Sequence, residues 1–365
     1  MDDGRFLAAD ALPLARRGAL IAGLGIMLAG CGSSDADDLL GDYQQRLAEA
    51  LEVEPPEPQP PANIGAFPDQ DQRLFDIPDL RESLLNVYAL RECQITSLVA
   101  ERNNQLGRVA VPSQRWLYEL ELWRLLHACS GSEVADNLAE ADRERLIRLT
   151  ETKTEHLPWA TWNALFGSSE WVGNFSRASR PLPVTPEIDI DAHLAALDYL
   201  HESVQHQFDP DWQPSGSTLA DHLQVLSREP LTARVLRSLM LTSQRLEESN
   251  RLLADALENP TTCRQLDDFH GSALRSDVSD YLTRLDDVAE RWLTAVNALF
   301  DIHPVSRPAL EHYREAWLAD VAANGNDTPP WPRYTHALAT HRALLERWSA
   351  QCALTQQRQE DGTRG

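Results

Sequence analysis

Cysteines are the residues of this chain whose spacing says most about chemistry. Five are present, and Cys31 stands apart at the end of an apolar stretch. The other four are Cys93, Cys129, Cys263 and Cys352, and no two of them have Cys-x-x-Cys spacing. Zinc-ribbon and thioredoxin-like sites need that spacing and have no support here. An even set without metal-binding spacing is typical of disulfides in an exported protein.

The apolar stretch before Cys31 predicts export and lipid attachment. Arg16 and Arg17 precede the 13 residues from Gly18 to Gly30, whereas a membrane span needs about 20. The length suits the apolar region of a secretory signal peptide, which would occupy residues 1–30. The end of the stretch, Leu-Ala-Gly-Cys, resembles the bacterial lipobox, which implies a diacylglycerol on the Cys31 thiol and acylation, for example by palmitate, of the new N-terminus. An ordinary signal peptide with a chance cysteine is the alternative.

The residues after Cys31 predict where the protein is delivered. In many Gram-negative lipoproteins an aspartate in the next position retains the protein in the inner membrane, and here that position is Gly32. Similarity to sorted lipoproteins therefore implies the inner leaflet of the outer membrane, with the folded part in the periplasm.

One polar cluster is a candidate binding site. Glu101, Arg102, Asn103 and Asn104 close a long apolar helix and precede Gly107. Such groups commonly cap the free carbonyls of a helix end. The alternative is a binding site between two halves of the fold, with Glu101 and Arg102 as charged members and Trp116 or Trp123 as a wall.

Other catalytic patterns are absent from the sequence. It contains no glycine-rich phosphate loop, no G-x-S-x-G elbow and no H-E-x-x-H helix. His201 and His206, like His336 and His341, are five positions apart and would point in different directions on a helix. We therefore predict no catalytic residue, no metal and no cofactor.

The charge of the chain restricts its partners. Lys and Arg number 33 against 56 Asp and Glu, so the net charge is −23, and Lys153 is the only lysine. A surface this acidic repels phosphate backbones, which excludes sequence-independent nucleic-acid binding.

The apolar pattern predicts an all-α protein. Tyr281, Leu285, Val288, Trp292 and Val296 recur every three or four residues, and Pro112 and Pro230 suit first helical positions. Alternating strand patterns are nearly absent. We predict an irregular multi-helix bundle of about eight to ten helices, stapled by disulfides and placed behind a lipidated tether.

The predicted organisation has a tether, two halves and a tail. The tether covers 31–70 and combines a short amphipathic helix, Asp38–Val53, with five prolines between Pro55 and Pro61. Such prolines favour an extended spacer that lifts the domain off the bilayer, or a ligand for a proline-recognising domain. The N-terminal helical half covers 71–180, the C-terminal half covers 181–358 and a disordered tail covers 359–365. The sequence is compatible with one core shared by both halves and with two separate cores.

Four cysteines allow three disulfide connectivities, of which we favour Cys93–Cys129 with Cys263–Cys352. Cys93 and Cys129 lie 16 and 20 residues from a turn near Val109, so antiparallel helices would place them at heights about 6 Å apart. The second pair would join an interhelix loop to the last helix. Four buried free thiols are the alternative.

Two stretches of the chain, with the lipobox, resemble a known family. They are the run from Leu74 to Val109 and the segment NPTTCR, 259–264. They are similar to an uncharacterised family of Gram-negative lipoproteins, a domain of unknown function. The resemblance extends over nearly the whole mature chain. It implies a location in the cell envelope but no activity.

Two classes of function remain. The first is a non-enzymatic envelope adapter that binds a protein partner while the lipid holds it to the membrane. The second is an enzyme or ligand-binding protein acting on cell-wall glycan or peptide. A broad exposed apolar surface would favour the first, and a deep pocket containing a carboxyl group with a raised pKa would favour the second.

Overall fold

The computed structural model describes residues 35–57, 59–185, 188–258, 263, 269, 272–321 and 328–363. In these residues the regular structure is helical and no strand occurs, which confirms the all-α prediction and its number of main helices. The longer helices are α1 (Asp35–Leu51), α4 (Ile95–Asn103), α6 (Pro112–Ser130), α8 (Glu140–Phe166), α10 (Ile190–Gln205), α11 (Gly216–Arg228), α12 (Leu231–Glu258), α13 (Ala273–Asp301), α14 (Pro308–Trp317) and α15 (Pro330–Thr363). The short helices are α2 (Gln70–Arg73), α3 (Leu84–Ala89), α5 (Gln105–Arg108), α7 (Glu133–Asp136) and α9 (Ser169–Gly173).

Helices α6 and α8 form an antiparallel pair. Trp116 Nε1 donates to Thr161 Oγ1 at 2.9 Å, and Trp123 Nε1 donates to Thr154 Oγ1 at 2.9 Å. The partner's number falls as the α6 number rises, so the helices run in opposite directions. Each indole N–H is thereby satisfied away from water, as buried tryptophans require.

Helices α12 and α15 form the longest contact of the C-terminal half and run in the same direction. Asn250 Nδ2 donates to the Ala337 carbonyl at 2.9 Å, and Arg333 makes two hydrogen bonds of 2.7 Å to Glu247. Helix α15 continues to Thr363, whereas we predicted a disordered tail from 359. Gln359 and Glu360 are good helix formers, but Asp361, Gly362 and Thr363 are not, so helix propensity alone does not account for the extension.

The first helix belongs to the core of the fold and not to a tether. Helix α1 covers the predicted amphipathic segment, and its stripe of Leu40, Tyr43, Leu47 and Leu51 is at most 4% exposed. It packs against α12, α13 and α15. The amphipathic pattern was correct, but the apolar stripe is buried by residues some 200 positions away, which no local pattern reveals.

The segment after α1 crosses the body as a strap, defined here as residues 59–77. Gln244 Nε2 donates to the Gln59 carbonyl at 2.8 Å, and Arg177 Nε donates to the Ile64 carbonyl at 3.1 Å. Ile64 is fully buried, and Phe67 stacks on Phe175 with ring centroids 4.0 Å apart. The described prolines therefore lie between two buried elements and do not form the spacer that we predicted, and Pro58 lies outside the described residues.

Two hydrophobic clusters hold the described residues together. The main cluster draws on α1, the strap, α6, α8 and every later long helix, so the two predicted halves share it. A second, smaller cluster contains Leu90, Ile95, Leu122, Leu126 and Leu146 with their neighbours. It lies where the C-terminal part of α6 meets the N-terminal part of α8, and both clusters include residues of these two helices.

The long helix predicted to end near Gly107 is broken into pieces. Helix α3, a single 3₁₀ turn (Arg91–Cys93), α4 and α5 follow one another, and Gln94 adopts a left-handed backbone with φ of 61°. Leu90, Cys93 and Ile95 can all enter the second cluster because the chain turns at Gln94. A straight helix would place Leu90 and Ile95 on different faces.

Both favoured disulfides are present. Cys93 pairs with Cys129 and Cys263 with Cys352, each with a Cα–Cα distance of 5.3 Å. The first bond joins the 3₁₀ turn to α6, whereas we derived it from two continuous helices. Cys31 lies outside the described residues. In the part of the chain described, no helix is both long and apolar enough to span a bilayer.

Candidate functional site

A cleft of about 1440 Å³ runs along the α6/α8 pair. Its floor comes from α6 and α8, and its walls come from the strap with the residues that follow it and from α3 and α4. The strap is held over the floor because Asn163 of α8 exchanges two hydrogen bonds with the backbone of Phe75, at 2.9 and 2.8 Å. Trp162 Nε1 also donates to the Arg73 carbonyl at 2.8 Å.

The only lysine of the chain lies in this cleft. Lys153 Nζ lies 2.6 Å from Glu119 Oε2, and the two side chains are 13% and 24% exposed. His156 follows one turn later on α8, where burial and then the Lys153 charge lower its pKa. Its ring stacks on Trp159 with centroids 5.1 Å apart. The ion pair lines the cleft, whereas His156 and Trp159 lie next to it along α8 and are not among the lining residues.

The predicted polar cluster is divided by the structure. Arg102 and Asn103 line the cleft together with Trp116, as the binding hypothesis requires. Arg102 Nη1 also donates to the Gly107 carbonyl at 2.8 Å, which is a bond of the predicted carbonyl-capping kind. Asn104 Oδ1 instead accepts the Gly107 N–H at 2.8 Å and caps the start of α5. Glu101 is exposed on α4, outside the residues that line the cleft. Trp123 packs against His127 and Phe208, also outside it.

Two carboxyl groups outside the cleft have lowered pKa values. The pKa of Asp209 is lowered, chiefly by the backbone N–H of Asp211. Burial favours the neutral form of Glu248, but hydrogen bonds from Gln44, Gln244 and Arg245 lower its pKa overall. Neither carboxylate lines the cleft, and neither has the raised pKa that suits a general acid. Among the described residues, no group of three or more His, Cys, Asp or Glu could hold a metal ion.

A second candidate site is an exposed apolar surface on residues 80–111, which we call the arm. The arm carries seven of the twelve large apolar side chains that are exposed in the described part of the chain. These seven are Leu80 41%, Leu84 84%, Leu85 80%, Tyr88 58%, Leu106 78%, Val109 74% and Val111 53%. Large exposed apolar patches mark interaction sites in soluble domains.

The arm also differs from the rest of the chain in charge. It contains four arginines and three glutamates, hence +1, while the whole chain has −23. The rest therefore carries −24. Arg91 lies over the ring of Tyr88, 4.9 Å from its centroid, so a cation and an apolar ring are exposed side by side.

A family model described as a protein of unknown function, DUF3080, matches residues 40–356. The chain belongs to the DUF3080 family. This confirms the resemblance to a domain of unknown function, and the lipoprotein part of that resemblance stays a prediction. No curated protein and no solved structure matches the chain.

The match to DUF3080 agrees with the packing of the first helix. It begins at residue 40, inside α1, and not at the start of the predicted N-terminal half at 71. The α1 stripe, the strap, the second cluster and all of the main cluster except Ala36 and Leu39 therefore fall within the residues matched by DUF3080.

Sequence reasoning missed two features of the site. The Lys153–Glu119 pair had one available signal, because a single lysine among 33 basic residues is unusual. The exposed arm had a weaker signal, since Leu84, Leu85 and Tyr88 lie together near the start of the long helix that we predicted to end near Gly107. Exposure itself depends on contacts that spacing does not reveal.

Proposed function

We propose that this protein is a lipid-anchored envelope adapter that binds a protein partner through its arm. The lipid sits on Cys31 in the inner leaflet of the outer membrane, and the folded part lies in the periplasm. The lipobox and the apolar signal stretch support this address. Two disulfides support it as well, because such bonds persist in oxidising compartments.

The observation that carries the adapter role is the exposure of Leu84, Leu85, Leu106 and Val109, each at least 74% accessible. Burying one such side chain against a partner contributes about 1.5–3 kcal/mol. A few such contacts supply the central apolar part of a specific interface.

Charge indicates the chemistry of that partner. The arm has a net charge of +1, whereas the rest of the chain carries −24 and repels acidic surfaces at longer range. A partner with an apolar groove and an acidic rim would be attracted to the arginines of the arm, while the net negative charge of the rest of the chain repels that rim. Arg81 and Arg91 are exposed beside the leucines and suit the contact with that rim.

The test compares two double variants in crosslinked affinity purification from native envelopes. Leu84→Ser/Leu85→Ser removes apolar surface from the arm, and Val321→Ser/Leu354→Ser removes comparable exposed surface elsewhere. We expect a near-stoichiometric partner with the native chain and the control, and recovery about tenfold lower with the arm variant. A single lost leucine contact of about 1.4 kcal/mol is sufficient for that change.

Two results would contradict the adapter role. The native protein would be recovered alone while still anchored to the membrane, or the arm variant would retain its partner as well as the control does. Circular dichroism of both variants shows whether each one is folded.

The cleft supports a second candidate function, binding or processing of cell-wall glycan or peptide. Its combination of Arg102, Trp116 and the Lys153–Glu119 pair offers charged and aromatic contacts to such a ligand. If this function is correct, wall fragments bind the protein, Lys153→Met weakens that binding, and the arm variant leaves it unchanged.

A further inference from the structure

The first helix is a fixed part of the body, starting from its first turn. Ala36 is fully buried and Leu40 is 1% exposed, so the apolar face is covered from the second residue of α1 onwards. A helix that packs from its first turn cannot act as a flexible linker. Its position relative to the body is set by the core.

A buried polar cluster fastens the same turn. Arg245 of α12 donates from Nη2 and Nε to Asp37 Oδ1, at 2.8 and 3.0 Å, and from Nη1 to Glu248 Oε2 at 3.1 Å. Gln44 Nε2 donates to Glu248 Oε2 and to the Arg245 carbonyl, both at 2.9 Å. The Arg245 side chain is 5% exposed, so these bonds are shielded from water. The start of α1 is therefore held by charge-assisted hydrogen bonds as well as by apolar packing.

Very little chain separates this fixed turn from the predicted lipid. Four peptide units join Cys31 to Asp35. Even a fully extended chain spans at most about 3.3–3.6 Å per residue, hence about 14 Å here. The proline-rich run follows α1 and leads into the strap, so it adds nothing to this distance.

We infer that lipid on Cys31 holds the folded body directly against the bilayer, with the start of α1 facing the phospholipid headgroups. The inference rests on the lipid attachment of the proposed function and adds the surface that meets the membrane. That surface surrounds Asp35, and its partner is a phospholipid bilayer. A partner of the arm must then come within one body length of the membrane, because no spacer extends the reach.

The test measures how far the body stands from a bilayer. The chain from Cys31 onwards is coupled through its Cys31 thiol to a maleimide lipid in a supported phosphatidylcholine bilayer, and neutron reflectometry gives the distance from headgroups to protein. Coupling by chemistry makes the distance independent of lipidation in the cell. Two variants carry the same insertion of about twelve Gly/Ser residues, either between Ser33 and Ser34 or between Glu54 and Pro55.

We expect no protein-free layer thicker than about 14 Å with the native chain. The insertion before α1 widens the layer by about 20 Å, the r.m.s. length of such a linker, and the insertion after α1 leaves it unchanged. A native chain that stands farther away, or two insertions with equal effects, would overturn the inference.

Mass spectrometry of the natural protein separates this inference from the proposed function. An unmodified Cys31 would contradict lipid anchoring, while the reflectometry still reports how α1 is fixed. Lipid on Cys31 combined with a wide protein-free layer would leave the anchor in place and overturn only the close contact with the bilayer.

Discussion

The body of the fold and the arm expose apolar side chains to very different degrees. In α1, α12 and α13, leucines such as Leu47, Leu239 and Leu299 are fully buried. In the arm, the fully covered residues include Leu90 and Ile95, while Leu84 and Leu85 are at least 80% exposed. Packing therefore stabilises the body, whereas the arm depends on a small cluster and the disulfide to α6. This contrast in exposure is the basis for proposing the arm as the binding surface.

The largest effect that we expect comes from removing the disulfide that joins the arm to α6. The bond closes a loop of 36 residues, and loop-closure entropy assigns it about 4 kcal/mol. We expect Cys93→Ser/Cys129→Ser to lower the hydrogen-exchange protection of amides in 84–108 and to leave α12 and α15 protected. Cys263→Ser/Cys352→Ser is the control, with its losses near the end of α15. Unchanged protection of the arm would mean that its small cluster is stable alone.

The same leucine truncation tests both regions. Leu47 is 0% exposed and Leu84 is 84% exposed, so Leu47→Ala creates a cavity and Leu84→Ala does not. We expect losses in the free energy of unfolding of about 3 kcal/mol for Leu47→Ala and below about 0.5 kcal/mol for Leu84→Ala. Urea denaturation measures both. Equal losses would show that the arm is packed as tightly as the body, and a small loss for Leu47→Ala would remove α1 from the core.

A smaller expected effect is the pH dependence of stability that arises from His341, which is buried in the body. His341 bridges Tyr43 and Asn250 with two contacts of 2.8 Å, and burial, with Arg275 and Arg342, lowers its pKa to about 4. The unfolded state, with a pKa near 6.5, binds a proton that the folded state does not, so this group costs stability as pH falls below 6.5. It contributes a loss of about 2 kcal/mol from pH 7 to pH 5. Denaturation of His341→Gln should show a weaker pH dependence by this amount, and an identical dependence would contradict the assignment.

Helix positions were predictable because helices follow local rules. The stripe of Tyr281, Leu285, Trp292 and Val296 is buried in α13, and Pro112 occupies the first turn of α6. The disulfide pairing was also predictable, although Cys93 lies in a 3₁₀ turn and not in a continuous helix. An approximate separation along two neighbouring elements was enough to choose between partners.

The candidate site was less predictable than the helices. Arg102, Asn103 and Trp116 of the predicted cluster line one cleft, whereas Glu101 and Trp123 do not, and that cleft depends on the strap, which crosses from another part of the chain. Asn163 and Phe75 are separated by 88 positions, and nothing in either local sequence indicates their hydrogen bonds. Contacts over such distances are set by the packing of whole helices.

By itself the sequence determined the helical class, the main helix positions and the disulfide pairing, because each depends on spacing over a few turns or on a limited choice of partners. Only the tertiary structure decided which apolar residues are buried. The leucines of α1 and those of α3 are the same residue type in short amphipathic segments. Those of α1 are covered by α12, α13 and α15, and those of α3 face solvent. Burial is a property of the neighbours that the whole fold brings together, and the leucine pattern contains no information about them.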